Sequence, residues 1–247
     1  MVSTPAYGGH VTTNYVNSFV RTQAEMPDYI QLVLNLYPGD SLITRGRNTM
    51  AAQFLASDCD AMLFIDADIG WDPHHITRLI GSKRDVIGGV YPIKEFIWDK
   101  LIQAVKDNPE AAGYDDVAPH SMNLVTNGIG KPNHLGYAPV YELGTGFMLI
   151  QRHVFEKMME HYPDMWYTTD RRNGENFKVF NFFDAFVVEA KGIQKNEDGT
   201  EEEVTSKRYL SEDYAFCALW RQMGGETWVD VGTNMLSHQG SYTWGQP

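Results

Sequence analysis

The segment AMLFIDADIGWDP, residues 61–73, joins a short apolar run to three closely spaced acidic residues. Its first part, Ala61–Ile65, is apolar and bounded by aspartates, as expected of a buried strand in a parallel sheet. Asp72 followed by Pro73 is typical of a helix start, because Asp caps a helix and Pro is tolerated in its first turn. The segment therefore predicts a strand followed by a helix over 73–80, with Asp66 and Asp68 at the junction.

The sequence on both sides of this segment repeats the same alternation. Apolar runs at Ile30–Leu36 and Asp85–Val90 are further candidate strands, and Thr44–Ala56 has an apolar helical stripe with Thr44 as a candidate N-cap. Strands that alternate with helices indicate a parallel sheet covered by helices. We therefore predict an α/β fold with a mostly parallel central sheet flanked by helices.

The second half of the chain carries a weaker pattern. It predicts a strand over 139–150, a helix over 152–161, a helix over 211–224 that begins at Ser211, and a short strand over 227–231. Two strand-like runs, FKVF and AFVVEA, precede the charged tract KNEDGTEEEVTSK, residues 195–207, which we interpret as the tip of a small β-hairpin.

Composition limits the function. The chain has 247 residues, a formal net charge of −12 and 43% hydrophobic residues, enough for one large domain or two small ones. The negative charge disfavours broad attraction to nucleic-acid backbones or anionic lipids, although a local basic pocket stays possible. No stretch approaches the length of a membrane span. We expect a soluble, cytoplasmic protein.

Asp66 and Asp68 are the sharpest chemical feature. Ligands of open α/β sheets bind at the carboxyl ends of the strands, and two carboxylates suit Mg²⁺ or Mn²⁺. Arg45 and Arg47 open the preceding helix, where backbone N–H groups favour an anion. The alternative is a pair of solvated aspartates near a helix cap, with surface arginines that pair with acidic neighbours.

Several of these segments resemble one enzyme family. They are SLITRGRNTMAAQFLASDCDAMLFIDADIGWDP (41–73), DVIGGVYPIK (85–94), LGTGFMLIQRHVF (143–155), YLSEDYAFC (209–217) and WVDVGTNMLSHQGSY (228–242). In order and spacing they are similar to nucleotide-sugar-dependent glycosyltransferases of the GT-A type, particularly phage and bacterial enzymes and the fungal Golgi mannosyltransferases. The resemblance covers roughly 1–100, 138–160 and 208–243. It implies a single Rossmann-like GT-A domain over 1–247, with a nucleotide-binding part over about 1–100 and an acceptor-side part over about 101–247.

The resemblance also implies roles for individual residues. Asp66, Asp68 and His238 match the ligands of a metal that bridges the donor diphosphate, and Asp213 with Glu212 matches the catalytic acidic pair that faces the acceptor. The positions that match donor or substrate binding are Thr4, Pro5, Ala6, Tyr7, Arg45, Arg47, Asn48, Asp66, Ala67, Lys94, Gly144, Thr145 and Gly146. For Glu212 and Asp213, the alternative is simple compensation of the helix dipole.

The function that follows is transfer of a sugar from a nucleotide-diphosphate sugar to an acceptor hydroxyl, with Mn²⁺ or Mg²⁺ as cofactor. A glycan, a small molecule or a modified DNA base fits as acceptor, inside a bacterial or phage-infected cell. Two alternatives stay open: a non-catalytic module that binds nucleotide sugars, and a metal-dependent nucleotidyltransferase. The sequence leaves the stereochemistry and the oligomeric state open.

Overall fold

A computed structural model describes residues 1–92, 94, 99, 102, 103, 106, 130–169, 177–195, 200–233, 236–240 and 243–244. The α-helices are α1 (Thr13–Glu25), α2 (Ile43–Leu55), α3 (Pro73–Gly81), α4 (Arg152–His161) and α5 (Glu212–Gln222). The strands are β1 (Val2–Ala6), β2 (Leu34–Pro38), β3 (Ala61–Ile65), β4 (Ile69–Gly70), β5 (Val86–Gly89), β6 (Tyr137–Val140), β7 (Phe147–Gln151), β8 (Trp166–Thr168), β9 (Lys178–Phe180), β10 (Phe186–Lys195), β11 (Glu201–Leu210), β12 (Thr227–Asp230), β13 (Ser237–Gln239) and β14 (Thr243–Trp244).

A seven-stranded mixed sheet forms the centre of the fold, in the order β2-β1-β3-β7-β5-β12-β6. β2, β1, β3, β5 and β12 run in one direction, and β7 and β6 run against them. The predicted α/β class, with a mostly parallel sheet and helices on its faces, is confirmed. Small additional hairpins pair β8 with β9 and β10 with β11.

The two faces of the sheet bury different side chains because successive residues of a strand point to opposite sides. In β3, Met62 and Phe64 face a cluster that includes Phe54 of α2, Phe155 of α4 and Phe216 of α5. On the opposite face, Leu63 and Ile65 pack with the apolar side chains Tyr15, Ile76 and Leu79 of α1 and α3. β3 is therefore buried on both sides, which explains its uninterrupted apolar sequence.

Four local predictions differ from the structure. The strand predicted over 30–36 lies at Leu34–Pro38, where it can pair with Val2–Ala6. The run 139–150 forms two strands, because residues 141–146 leave the sheet between them. Helix α2 begins at Ile43 with Leu42 as N-cap, so Thr44 does not cap it. Residues 201–207 belong to a long strand, and the predicted hairpin tip at 196–199 lies outside the described residues.

A separate small sheet connects the end of the chain to β3. β13 pairs antiparallel with β4, so that His238 is opposite Ile69, directly after the Asp66–Asp68 loop. Within the described part of the chain, no helix is long and apolar enough to cross a lipid bilayer.

Arg152, the first residue of α4, satisfies the carboxyl end of α2. Its guanidinium donates to four backbone carbonyls, those of Phe54 at 3.1 Å, Leu55 at 3.3 Å, Ser57 at 2.5 Å and Cys59 at 2.8 Å. The last carbonyls of a helix have no partner within the helix, and a cation there also complements the helix dipole. Arg152 thus joins the helix before β3 to the helix after β7.

Arg152→Ala should lower the free energy of unfolding by about 2–4 kcal/mol, because several carbonyls lose a charged donor at once. Lys157→Ala, which removes a positive charge from an exposed position of the same helix, should change it by less than about 0.5 kcal/mol. Urea denaturation followed by circular dichroism measures both. Equal stability of the two variants would contradict the capping role.

Candidate active site

Asp66, Ala67 and Asp68 form a short loop at the carboxyl end of β3, and the backbone holds this loop from three sides. The three hydrogen bonds run from Asp66 N to Gly146 O at 3.0 Å, from Thr12 N to Ala67 O at 2.8 Å and from Gln239 N to Asp68 O at 2.8 Å. Because the donors and acceptors belong to distant segments, the position of both carboxylates depends on the complete fold.

Arg47 of α2 lies beneath this loop and is only 3% exposed. Its Nη2 donates to Asp66 Oδ1 at 3.0 Å and its Nε donates to Glu212 Oε1 at 3.1 Å. Its guanidinium carbon lies 5.2 Å from the centroid of the Phe64 ring. Burial lowers the pKa of Arg47, but the two carboxylates outweigh burial and raise it overall. Arg47 is therefore a buried cation that links the β3 loop to the start of α5.

Asp68 has two different partners. Lys94 donates to its Oδ2 atom, and His238 Nε2 lies 3.3 Å from its Oδ1 atom. Burial raises the pKa of the Asp68 carboxyl, but the hydrogen bonds from His238 and Lys94 outweigh burial and leave this pKa below its usual range. Asp68 is therefore held as a carboxylate.

The other ring nitrogen of His238 determines its orientation. Nδ1 lies 2.8 Å from the carbonyl oxygen of Pro92. Since a carbonyl can only accept, Nδ1 carries a proton and directs Nε2 toward Asp68. The same arrangement, with Nδ1–H on a backbone carbonyl, orients histidines that ligate metals.

Tyr91 contacts both Gly146 and His238, and its sequence context predicts no role for it. Its hydroxyl accepts a hydrogen bond from Gly146 N at 3.1 Å, and its ring meets the His238 ring edge-on at 5.6 Å between centroids. Burial raises the pKa of Tyr91 strongly, and the nearby charges of Asp66 and Asp213 raise it further. Tyr91 is therefore a neutral phenol near the carboxylates of Asp66 and Asp213.

Asp213 lies in the first turn of α5. Its Oδ1 accepts from Ser211 Oγ at 2.5 Å and from Tyr214 N at 2.8 Å. Its Oδ2 faces Gly144, where an added Cβ would lie 3.7 Å away. A Cβ at Gly144 or Gly146 would also overlap the Tyr91 side chain. The two glycines therefore make room for Tyr91, and Thr145 between them is buried.

A second feature is a cleft of about 380 Å³ at the carboxyl ends of β1 and β2. It is lined by Pro5, Tyr7, Tyr37, Asp40, Ser41, Ile43 and Gly46. Tyr7 is 72% exposed. Of the residues predicted at the end of β1, Pro5 and Tyr7 line this cleft, whereas Ala6 is buried and Thr4 is hydrogen-bonded to Tyr15 at 2.7 Å.

Two other predicted residues have protein partners. Arg45 pairs with both carboxylate oxygens of Asp40, at 2.9 and 2.8 Å. Asn48 is buried, donates to Phe183 O at 3.0 Å and Asn181 Oδ1 at 2.8 Å, and accepts from Phe183 N at 2.8 Å. Asn48 therefore fixes the segment after β9, and Arg45 is paired with Asp40, which lines the cleft.

The structure thus brings together Asp66, Asp68, His238, Lys94, Glu212 and Asp213 around Arg47 and Tyr91. Sequence reasoning missed Tyr91, Tyr37 and Asp40. Their positions in the chain are a signal, because Tyr91 and Asp40 lie just beyond the carboxyl ends of β5 and β2 and Tyr37 is the penultimate residue of β2, and ligands bind at these strand ends.

A different group, Asp72, His74 and His75, also has the composition of a possible metal site. Among the described residues it is the one set of three candidate ligands whose atoms all lie within 4.8 Å of one another. Two of its members are already engaged, because Asp72 and His75 form the capping box of α3 and Asp72 Oδ1 accepts from Arg21 at 2.6 Å. Their proximity therefore follows from helix capping.

Comparison of the sequence with known proteins finds no match. No protein-family model matches the chain, and no curated protein matches it. Among solved structures, the chain is similar to A197 from STIV, with a TM-score of 0.47 and 14% sequence identity over 96% of this chain and 85% of that chain.

Arg47→Met should lower the free energy of unfolding by about 3–5 kcal/mol, because it leaves two partly buried carboxylates without their cation. In the double variant Arg47→Met/Glu212→Gln the loss should be smaller than the sum of the two single losses, since the uncharged amide no longer needs the guanidinium. Urea denaturation of the wild type, the two single variants and the double variant gives the four free energies of unfolding that this double-mutant cycle needs. Additive losses would show that Arg47 and Glu212 do not interact.

Proposed function

We propose that the protein is a metal-dependent glycosyltransferase of the GT-A type, which transfers a sugar from a nucleotide-diphosphate sugar to an acceptor hydroxyl. The observation that carries the proposal is the contact between Asp68 and His238, which are 170 positions apart in the chain and lie 3.3 Å apart in the fold. Arg47 connects the same loop to Glu212, the residue before Asp213 at the start of α5. One site thus contains the candidate ligands of a cation and a candidate base.

Asp68 and His238 lie close enough to share a divalent cation. Asp66, by contrast, is held by Arg47 and does not lie within 4.8 Å of both of these side chains, so its carboxylate would have to turn toward the ion. Two carboxylates and an imidazole nitrogen are suitable ligands for Mn²⁺ or Mg²⁺, and Nε2 of His238 is directed at a carboxylate oxygen by the Pro92 contact. We propose that Asp66, Asp68 and His238 hold this cation. When bound, it would supply positive charge to the departing diphosphate.

The cleft at the ends of β1 and β2 suits the nucleoside of the donor. Tyr7 and Tyr37 offer aromatic surface on which a base can stack, and Asp40 and Ser41 offer hydrogen-bonding groups. Gly46 borders the cleft at α2 and Arg47 of the same helix reaches Asp66. We propose that a nucleoside bound in the cleft directs its phosphates toward Asp66 and Asp68.

Asp213 is the proposed catalytic residue on the acceptor side. Ser211 and the backbone of Tyr214 hold its Oδ1 atom, so that Oδ2 is positioned to accept a proton from the attacking hydroxyl. Glu212 contributes through Arg47, which it helps to hold. We propose that one domain over 1–247 carries both parts of the site, about 1–100 for the donor and about 101–247 for a glycan, small-molecule or modified-base acceptor.

The donor prediction is tested by a thermal-shift screen of UDP-, GDP-, CMP- and dTDP-sugars, with and without Mn²⁺. A donor at about 100 times its Kd adds about 2.7 kcal/mol of stability. For a chain of this size, we expect Tm to rise by roughly 5–10 °C. Asp68→Asn should remove the part of this shift that depends on Mn²⁺. If no nucleotide sugar raises Tm, the transferase proposal fails.

Asp213→Asn should leave donor binding nearly unchanged and lower turnover by about 10²–10⁴-fold, because the amide cannot accept the proton. Calorimetry measures donor binding. The release of nucleotide diphosphate in the presence of an acceptor substrate measures turnover. Glu226→Gln, on the loop after α5, is a control that removes one carboxylate away from the site and should retain activity. An active Asp213→Asn enzyme would refute the proposed role.

A further inference from the structure

Lys94 is the second cation of the site, and it is held differently from Arg47. Its ammonium donates to Asp68 Oδ2, and the two side chains are 33% and 32% exposed. Arg47, by contrast, has a side chain that is 4% exposed and two carboxylate partners. The guanidinium is thus a fixed part of the interior, whereas the ammonium sits on a flexible stem at the surface.

The contact of Lys94 conflicts with the proposed use of Asp68. A divalent cation at Asp68 and His238 would lie within a few ångströms of the Lys94 ammonium, and like charges at that separation repel strongly when partly shielded from water. The two cations therefore compete for one carboxylate. Lys94 can leave without unfolding the site, because its ion pair is partly exposed and held through one carboxylate.

We propose that Lys94 is an exchangeable counter-ion of Asp68, which a divalent cation displaces and which then binds the donor diphosphate. This inference rests on the proposed function. Without a diphosphate, displacement leaves the ammonium unpaired beside a divalent cation, so the metal alone binds weakly. With a diphosphate, the released ammonium gains an anionic partner. Metal and nucleotide should therefore bind cooperatively, each raising the affinity for the other by the same factor.

The test compares Mn²⁺ binding to the wild type, Lys94→Met and the charge-matched control Lys157→Met, by electron paramagnetic resonance, alone and with UDP or GDP. All three carry His74→Ala, so that the group at Asp72, His74 and His75 does not contribute. We expect the diphosphate to raise the affinity of the wild type for Mn²⁺ by about 10-fold. Lys94→Met should bind Mn²⁺ alone about 3- to 10-fold more tightly and lose most of this cooperativity. Lys157→Met should match the wild type.

Unchanged or weaker Mn²⁺ binding by Lys94→Met without nucleotide would overturn the inference. So would Mn²⁺ binding that survives Asp68→Asn, because the ion would then lie elsewhere. A wild type that binds neither a nucleoside diphosphate nor a sugar nucleotide would contradict the proposed function instead. In that case, Mn²⁺ binding by the wild type and Lys94→Met without nucleotide would still decide whether Lys94 competes with the metal at Asp68.

Discussion

The buried guanidinium of Arg47 is the constraint on which the site geometry depends. Removing a full charge from water costs several kcal/mol, and only good hydrogen bonds to opposite charges offset that cost. Asp66 and Glu212 provide them from the end of β3 and the start of α5, two elements separated by nearly 150 residues. Because Arg47 cannot stay buried without them, the carboxylate loop and the acidic helix start are fixed relative to each other.

Tyr91 adds a second constraint at the same place. Its ring occupies the space where Cβ atoms of residues 144 and 146 would lie, and its hydroxyl accepts from the backbone of Gly146. Both positions lie between β6 and β7, and only glycine there leaves room for the ring. The interruption between β6 and β7 is therefore coupled to the packing of Tyr91, which in turn lies edge-on against His238.

Much of the fold could be predicted from local pattern, and the site could be predicted in part. The apolar run Ala61–Ile65 and the Asp72-Pro73 helix start are local signals, and the structure has the expected strand and helix there. Asn48 shows the limit, since its partners Asn181 and Phe183 lie more than 130 positions away, and no local pattern reveals a hydrogen bond of that span. Arg45 is the opposite case: its partner Asp40 is five positions away, and this ion pair matches the alternative in which a surface arginine pairs with an acidic neighbour.

The charges within the site explain how an acidic chain can bind an anionic substrate. Asp66, Asp68, Glu212 and Asp213 are four carboxylates, and Arg47 and Lys94 supply two cations. The aspartate, glutamate, lysine and arginine side chains of the cluster therefore carry two more negative than positive charges. One divalent cation would neutralise that excess and turn an acidic pocket into one that accepts a diphosphate. A net charge of −12 is thus compatible with an anionic substrate. The charges that meet the substrate belong to this cluster. The rest of the acidic surface is screened over about 10 Å at moderate salt.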